Sequence, residues 1–239
     1  MLEKTQAIVL KSIKFKESSL IVSCFTAEFG LQSYILRGVL KNKKGGMRPA
    51  YFQLLNQLNL VVQTSKKSQL HTIKELKVSY HYQSIPKSVI KQSMLMFMAE
   101  FISESIREES PNLNLFEFLA QGLQLFDEIE LVADFHLVFL LKLSKFLGFY
   151  PQESKTERPY FDLLEGKFTS NYLGRNQLDM QETKLFNQLI KLSFDDLDRL
   201  HFNGEQRNRL LNMIINYYSL HLNGFRTPKS LTVLESLYR

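Results

Sequence analysis

The segment from residue 6 to residue 39 reads QAIVLKSIKFKESSLIVSCFTAEFGLQSYILRGV, and its pattern decides the fold of the N-terminal part of the chain. Apolar and polar side chains recur in it with a period of two, which is typical of strands and not of helices. Turn signals such as Phe29-Gly30 interrupt the alternation. The segment therefore predicts three strands, Gln6–Phe15, Leu20–Thr26 and Leu31–Val39.

The same period continues to about residue 79 and predicts two further strands, Leu54–Gln63 and Leu70–Ser79. Five short strands separated by turns rich in Gly, Ser and Lys are typical of a small barrel or sandwich. An oligonucleotide-binding (OB) barrel has this number and length of strands. We therefore predict an OB-fold nucleic-acid-binding domain at residues 1–80.

From Pro86 onward the apolar period becomes helical. We predict a helical domain at residues 81–239, with a β-hairpin insert near residues 158–170 that turns at Glu165-Gly166. The fold class is therefore α+β. The predicted helices are Lys87–Glu109, Leu113–Glu130, Ala133–Gly148, Gln181–Ser193, Gly204–Leu222 and Ser230–Tyr238.

Charge is distributed unevenly between these two parts. Residues 1–80 hold 13 Lys and Arg against 4 Asp and Glu, a net charge of +9, whereas residues 81–239 hold 17 against 20, a net charge of −3. A basic excess is the expected footprint of phosphate binding. A Lys-rich solvated surface would give the same count, so charge alone leaves both explanations open.

The segment from residue 40 to residue 49 reads LKNKKGGMRP and carries four cations, no acid and two adjacent glycines. Such a loop can follow an irregular phosphate backbone and release counterions on contact, although an ordinary solvated loop has the same composition. Arg37 precedes the loop, and three lysines occupy the end of the first strand. The candidate DNA-binding residues are Arg37, Lys41, Lys43, Lys44, Arg48, Lys11, Lys14 and Lys16.

Aromatic side chains accompany these cations, and single-strand binders combine cations with rings on which bases stack. Each ring is more simply explained as part of the barrel core. The rings are Phe15, Phe25, Phe29, Tyr34, Tyr51 and Phe52.

Catalytic and metal-binding motifs are absent from the sequence. It contains no phosphate-binding glycine loop, no nucleophile elbow and no His-Glu-x-x-His, and its five histidines lack metal-ligand spacing. The acids of Asp195-Asp196-x-Asp198 are expected to cap a helix rather than to bind a metal. The lone cysteine, Cys24, is expected to be buried and unreactive. We predict no enzymatic activity, no metal and no cofactor, in a soluble cytoplasmic protein without a membrane segment.

Six short segments together resemble the RecO family. They follow one another in the family's order and span nearly the whole chain. They are AIVLK at 7–11, ESSLIV at 17–22, FTAEFG at 25–30, YILRGV at 34–39 before the cationic loop, YYSLHL at 217–222, and KSLTVL at 229–234.

This resemblance implies a DNA repair and recombination mediator that works at the nucleoid. It implies binding of single- and double-stranded DNA by the barrel, annealing of complementary strands, and help in loading the recombinase onto DNA coated by single-strand-binding protein. It also implies two protein partners, RecR and the acidic C-terminal tail of single-strand-binding protein. Some family members carry a four-cysteine zinc module, but the matching region of this chain, residues 151–171, has no cysteine.

An acidic tail that ends in apolar residues needs an apolar pocket edged with cations. Candidate cations for such a pocket are Arg207, Arg209 and Arg226. Candidate rings near them in the sequence are Tyr217, Tyr218 and Phe225, although surface arginines beside a core stripe would look the same. Two alternative functions stay open. The barrel could bind protein, as in an adaptor, or it could bind RNA, which the 2′-hydroxyl distinguishes from DNA.

Overall fold

The structure is a computed structural model. It describes residues 2–41, 47–64, 70–107, 110–130, 133–153, 158–198 and 201–236. Within these ranges no helix is long and apolar enough to cross a membrane. By its internal contacts the chain divides into two compact units, residues 1–128 and residues 129–239.

The first unit begins with a closed barrel in which the strands are ordered β1-β2-β3-β5-β4. Neighbouring strands are antiparallel except for β3 and β5, which are parallel. This is the arrangement of an OB barrel, so the predicted α+β class with an N-terminal five-stranded barrel is confirmed. The strands are β1 Leu2–Phe15, β2 Ser19–Thr26, β3 Gly30–Leu36, β4 Gln57–Gln63 and β5 Leu70–Tyr80.

Strand β1 is long enough to pair with two neighbours in succession. Residues 2–8 pair with β4, and residues 7–15 pair with β2. A shift in the register lies between Val9 and Lys11, and such bulges bend a strand and re-aim its side chains. Beyond the bulge, β1 has left β4 and continues as one arm of a β1–β2 hairpin.

Three strand boundaries differ from the prediction by more than one residue. β1 starts at Leu2 rather than Gln6, because its polar first residues are held by the ladder to β4. β3 ends at Leu36 rather than Val39, because Gly38 has a φ of +72° and turns the chain. β4 starts at Gln57, because Leu55 has a φ of +60° and its N–H donates to the Val9 carbonyl at 2.7 Å.

The first unit also contains α1, Val89–Ser105, and α2, Leu113–Glu128. α1 starts after Ser88, whose hydroxyl accepts from the backbone N–H of Lys91. It ends four residues before the predicted Glu109. Both helices lie against the barrel: α1 contacts β1, and the rings of Phe25 and Phe116 have centroids 6.3 Å apart.

A buried carboxylate, Asp127 at the end of α2, holds the stretch between β5 and α1. Its two oxygens accept the backbone N–H groups of Gln83, Ser84 and Ile85 at 2.7–2.9 Å. The Nζ of Lys91 donates to its backbone carbonyl at 2.9 Å. Burial raises the pKa of Asp127, but the three N–H bonds outweigh it, so the pKa lies below its ordinary value.

The second unit is helical with a small sheet. The predicted hairpin is confirmed as β6 and β7, with Gly166 in its turn at a φ of +64°. A third strand, β8, pairs with β6 and was not predicted, since two residues leave no period to detect. The elements are α3 Phe135–Phe146, β6 Tyr160–Asp162, β7 Lys167–Thr169, β8 Gln177–Leu178, α4 Met180–Lys191, α5 Gly204–His221 and α6 Leu231–Ser236.

Aromatic side chains join the small sheet to α5. The Phe161 ring lies 5.1 Å from that of Phe186, and both rings neighbour that of Tyr217. The His221 ring stacks on Phe149 at 5.1 Å, and its Nε2 lies 2.8 Å from the Leu163 carbonyl oxygen. The sheet is therefore held to the helices by ring packing and hydrogen bonds between described residues.

Asp195 and Asp196 lie within a 3-10 turn, and Asp198 follows it, so the acids do not themselves occupy the N-cap position that the sequence predicted. Ser193 caps a 3-10 turn formed by Phe194–Asp196. The carboxylate of Asp196 accepts from the backbone N–H and the hydroxyl of Ser193, at 3.0 and 2.5 Å. Capping therefore explains Asp196 without a metal.

Candidate nucleic-acid interface

The free arm of the β1–β2 hairpin carries the first group of predicted cations. Lys11 and Lys14 are exposed on β1 beyond the bulge, and Lys16 is exposed in the turn that follows. Because the bulge has carried this arm away from β4, all residues from 11 to 17 are open to solvent. The arm therefore presents its ammonium groups without a covering element on that side.

The turn after β3 lies against the turn of this hairpin. The N–H of Leu40 donates to the carbonyl of Ser18 at 3.0 Å, and the Nζ of Lys41 lies 3.2 Å from a carboxylate oxygen of Glu17. The structure thus brings Arg37 and Lys41, both exposed, next to the turn that contains Lys16. The Lys41–Glu17 pair is largely exposed and contributes little to stability, so Lys41 can exchange this partner for a phosphate.

The remaining predicted cations follow this turn. Arg48 is exposed directly before a 3-10 turn, Pro49–Phe52. The residue before it, Met47, lines a groove with Arg37 and with Thr72 of β5. Lys43 and Lys44 lie outside the described residues.

Two further cations, outside the predicted set, lie on β5. Lys74 and Lys77 are exposed and line a second groove, together with Tyr51 and His81. The candidate loop was predicted from its high local density of cations without an acid. Lys74 and Lys77 lack this signal, because their strand also contains Glu75. The pairing of β5 with β3 and β4 brings them to the groove beside Tyr51, which no local pattern could indicate.

Cys24 and Tyr34 are titratable side chains in the interior of the barrel. Cys24 is fully buried, as predicted, and burial raises the pKa of its thiol to about 12, so it stays protonated at neutral pH. Tyr34 is also buried, and burial raises its pKa well above the ordinary value. Among the described residues, no group of three or more His, Cys, Asp or Glu side chains could hold a metal ion.

The three arginines proposed for partner binding are placed differently from one another. Arg207 donates from Nε to the buried carboxylate of Asp134 at 2.7 Å and is itself mostly covered. Arg209 is exposed and pairs with Glu205, one helical turn away, at 2.8 Å. Arg226 is exposed after the end of α5.

The aromatic residues near these arginines belong to the core of the second unit. Tyr217 and Tyr218 are buried, and their hydroxyls donate to the carbonyls of Phe149 and Leu140 at 2.5 and 2.7 Å. Phe225 is half-buried, with its ring 5.7 Å from that of Tyr218. Of these three rings, only Phe225 is exposed enough to line a pocket for a partner's tail, because Tyr217 and Tyr218 are buried in the core.

Comparison with known proteins covers nearly the whole chain. A family model described as the N-terminal part of recombination protein O matches residues 1–82, and one described as its C-terminal part matches residues 87–231. The chain belongs to the RecO family. Curated relatives named DNA repair protein RecO include those of Flavobacterium psychrophilum (42% identical, 98% of both chains), Christiangramia forsetii (38%, all of both chains) and Bacteroides fragilis (35%, all of both chains).

Membership of the RecO family confirms the resemblance carried by the six short segments. It makes the chain a RecO-family DNA repair protein with the barrel and helical parts in the family's order. The roles of individual residues do not follow from it. They depend on the geometry of the exposed cations.

Proposed function

We propose that this chain is a non-enzymatic mediator of DNA repair and recombination that binds single- and double-stranded DNA through the outside of its barrel. The observation that carries the proposal is the joining of two cationic turns, through the Leu40–Ser18 and Lys41–Glu17 contacts, on a barrel of OB topology. In this proposal the cations bind phosphates and do not read the bases, because phosphate contacts carry no sequence information.

The mediator role follows from such binding if two strands meet on one protein surface. Neutralising phosphates lowers the repulsion between complementary strands, so the chain anneals them and assists recombinase loading on DNA coated by single-strand-binding protein. RecR and the acidic tail of single-strand-binding protein are the proposed partners. Of the three candidate arginines, Arg226 and Arg209 have the exposure that contact with such a tail requires.

A strand-annealing assay, with and without single-strand-binding protein, tests this function. We expect the chain to accelerate annealing of complementary oligonucleotides and to keep doing so on coated strands. A clear preference for RNA of the same sequence would instead indicate the RNA-directed alternative. Undetectable DNA binding at low salt would indicate the protein-binding adaptor.

The contribution of the cations is tested by two triple variants. One replaces Lys11, Lys14 and Lys16 with Gln, and the other replaces Lys41, Lys43 and Lys44. Each variant should weaken binding to all sequences about equally and should flatten the dependence of log affinity on log salt by about 2 to 3, since each lost contact removes roughly 0.7 on single strands and roughly 0.9 on duplex.

Folding should hardly change in the variant of Lys11, Lys14 and Lys16, because these three lysines are exposed and such side chains contribute little to stability. Thermal unfolding of both variants provides that control. If a variant keeps the parent's affinity and salt slope, its three lysines do not contact the DNA.

A further inference from the structure

Phe15 differs from the other rings of the barrel region by its exposure. Phe25, Tyr34 and Phe52 are each 1% exposed, and Phe29 and Tyr51 are partly buried against the barrel core. Phe15, at the end of the free arm of β1, is 36% exposed. Phe15 is not part of the barrel's core cluster and is not packed against it. The packing of the barrel core therefore does not explain why a phenyl ring occupies this position.

An apolar row crosses three strands beside this ring. Ile13 of β1 is the cross-strand partner of Ile21 in β2, which is the partner of Ile35 in β3. Directly opposed residues project from the same face of a sheet, and Phe15 shares that face because it is two residues from Ile13. Ile13 is 48% exposed, and Ile21 and Ile35 are half-buried.

Cations border this row on both sides. Lys11 lies on the same face, two residues before Ile13. On the other side, the Nζ of Lys16 lies over the Phe15 ring, 5.5 Å from its centroid, and Arg37 directly follows the end of β3. The nearby acid, Glu17, is paired with Lys41. An apolar surface edged by cations fits a ligand with flat apolar faces and regularly spaced negative charges.

We propose that this outer face of the β1–β2 hairpin, formed by Phe15 with Ile13, Ile21 and Ile35, is a base-stacking surface for single-stranded DNA. Unpaired bases cover the ring and the isoleucines while the bordering cations hold the phosphates. A duplex keeps its bases stacked inside and offers only phosphates. The face therefore gives the chain a preference for single strands. This inference rests on the proposed DNA-binding function.

Substitution of Phe15 separates stacking from phosphate binding. Phe15→Ala should weaken binding of a single-stranded oligothymidine by about 5- to 150-fold, since one base–aromatic stack accounts for roughly 1–3 kcal/mol and about 1.4 kcal/mol is tenfold. Duplex affinity should stay within about twofold. The salt slope should be unchanged on both, because no phosphate contact is lost.

Two conservative variants at the same position show whether the ring itself matters. Phe15→Tyr should restore single-strand affinity, whereas Phe15→Leu, which keeps apolar bulk without a π-face, should not restore it fully. Thermal unfolding of each variant checks the fold. If Phe15→Ala is unstable, the comparison of Phe15→Leu with Phe15→Tyr decides the question.

A fluorescence measurement adds an independent readout, because the chain contains no tryptophan. In Phe15→Trp, the new indole is the sole tryptophan, and its emission should be quenched by oligothymidine and much less by duplex at equal occupancy. The matched control is Tyr172→Trp in the second unit, where the side chain is 52% exposed and its emission should respond to neither DNA.

The outcomes separate the two proposals. If Phe15→Ala and Phe15→Leu bind single strands as tightly as the parent while the lysine variants lose affinity, the stacking surface is excluded and the proposed function stands. Equal losses on single strands and duplex also exclude stacking. If the unaltered chain binds neither form of DNA at low salt, both proposals fall.

Discussion

At the scale of single residues, the second unit buries a histidine, His136, in α3. The side chain is fully covered, and burial lowers its pKa to about 3, with the positive charge of Arg207 acting in the same direction. A hydrogen bond with the backbone of Ala133 opposes the shift and does not overcome it. The imidazole is therefore neutral in the folded protein at physiological pH.

This burial predicts acid sensitivity with a definite sign. The unfolded pKa is about 6.5, above the folded value, so the unfolded chain takes up the proton first as pH falls. The contribution of His136 to stability is present above pH 6.5 and declines below it, by about 1.4 kcal/mol per pH unit, until the folded pKa is reached. Urea unfolding at several pH values between 7.5 and 5 measures this slope.

The variant His136→Leu should have a shallower pH dependence of the free energy of unfolding, whatever its stability at pH 7.5. His81→Gln, which removes a histidine at an exposed position, serves as the control. Identical slopes for the parent and His136→Leu would show that this histidine does not govern the acid response.

Residue roles were predictable where the partner is close in the sequence. A capping contact for the acids at 195–198 and the burial of Cys24 could be predicted from neighbouring residues, and Asp196 does accept from Ser193, three positions away. The part played by Asp127 could not, because its partners are backbone N–H groups 42–44 positions away and any residue type offers such donors. The ion pair between Asp134 and Arg207 joins residues 73 positions apart and was hidden for the same reason.

At the scale of elements, the turn of the β6–β7 hairpin depends on a close approach to α5. Gly166 has a φ of +64°, and a Cβ at this position would lie 2.8 Å from the hydroxyl oxygen of Tyr217. That hydroxyl is fixed, since it donates to the Phe149 carbonyl at 2.5 Å. Gly166→Ala should therefore destabilise the chain by about 2 kcal/mol or more, from backbone strain and from the clash.

The matched control for this prediction is Gly174→Ala. Gly174 also has a positive φ, +80°, but a Cβ there would meet no atom within 4 Å. It therefore reports the backbone cost alone, roughly 1 kcal/mol. Thermal and urea unfolding of both variants gives the difference. Equal destabilisation would show that the approach of Gly166 to Tyr217 can relax without cost.

The elements themselves were largely predictable, because strand and helix periods are local properties of the sequence. All five barrel strands, the hairpin and the six helices occur where the period predicts them, with shifts of a few residues at their ends. The bend of β1 was not predictable, because it depends on two different partners, β4 and then β2. The candidate interface was only partly predictable for the same reason, since Lys74 and Lys77 reach it through the pairing of β5 with strands distant in the sequence.

At the scale of the whole molecule, the sequence and the contacts divide the chain at different places. The period of the apolar residues and the distribution of charge place the domain boundary at residue 80, whereas the first compact unit extends to residue 128. The contacts within the first unit explain the difference. Asp127 binds the backbone at 83–85, the Gln57 side chain donates to the Ala120 carbonyl at 3.0 Å, and Phe25 packs near Phe116.

These contacts predict how fragments behave. A fragment of residues 1–128 keeps every one of them and should unfold cooperatively. A fragment of residues 1–80 exposes Phe25 and its cross-strand partner Ile8, both buried in the full chain. Because exposing one large apolar side chain costs about 1.5–3 kcal/mol, the shorter fragment should be less stable by at least about 3 kcal/mol. Urea unfolding of both fragments measures the difference.

DNA binding by the same fragments tests where the functional division lies. Residues 1–80 contain all the predicted DNA-binding cations, so the 1–128 fragment should retain the salt slope of the full chain even though its net charge includes the acids of α1 and α2. Asp127→Asn in the 1–128 fragment is the internal control, since it weakens the tie to residues 83–85 without touching a cation. If the 1–80 fragment proves as stable as the 1–128 fragment, the barrel folds without its helices, and the division at residue 80 is structural as well as functional.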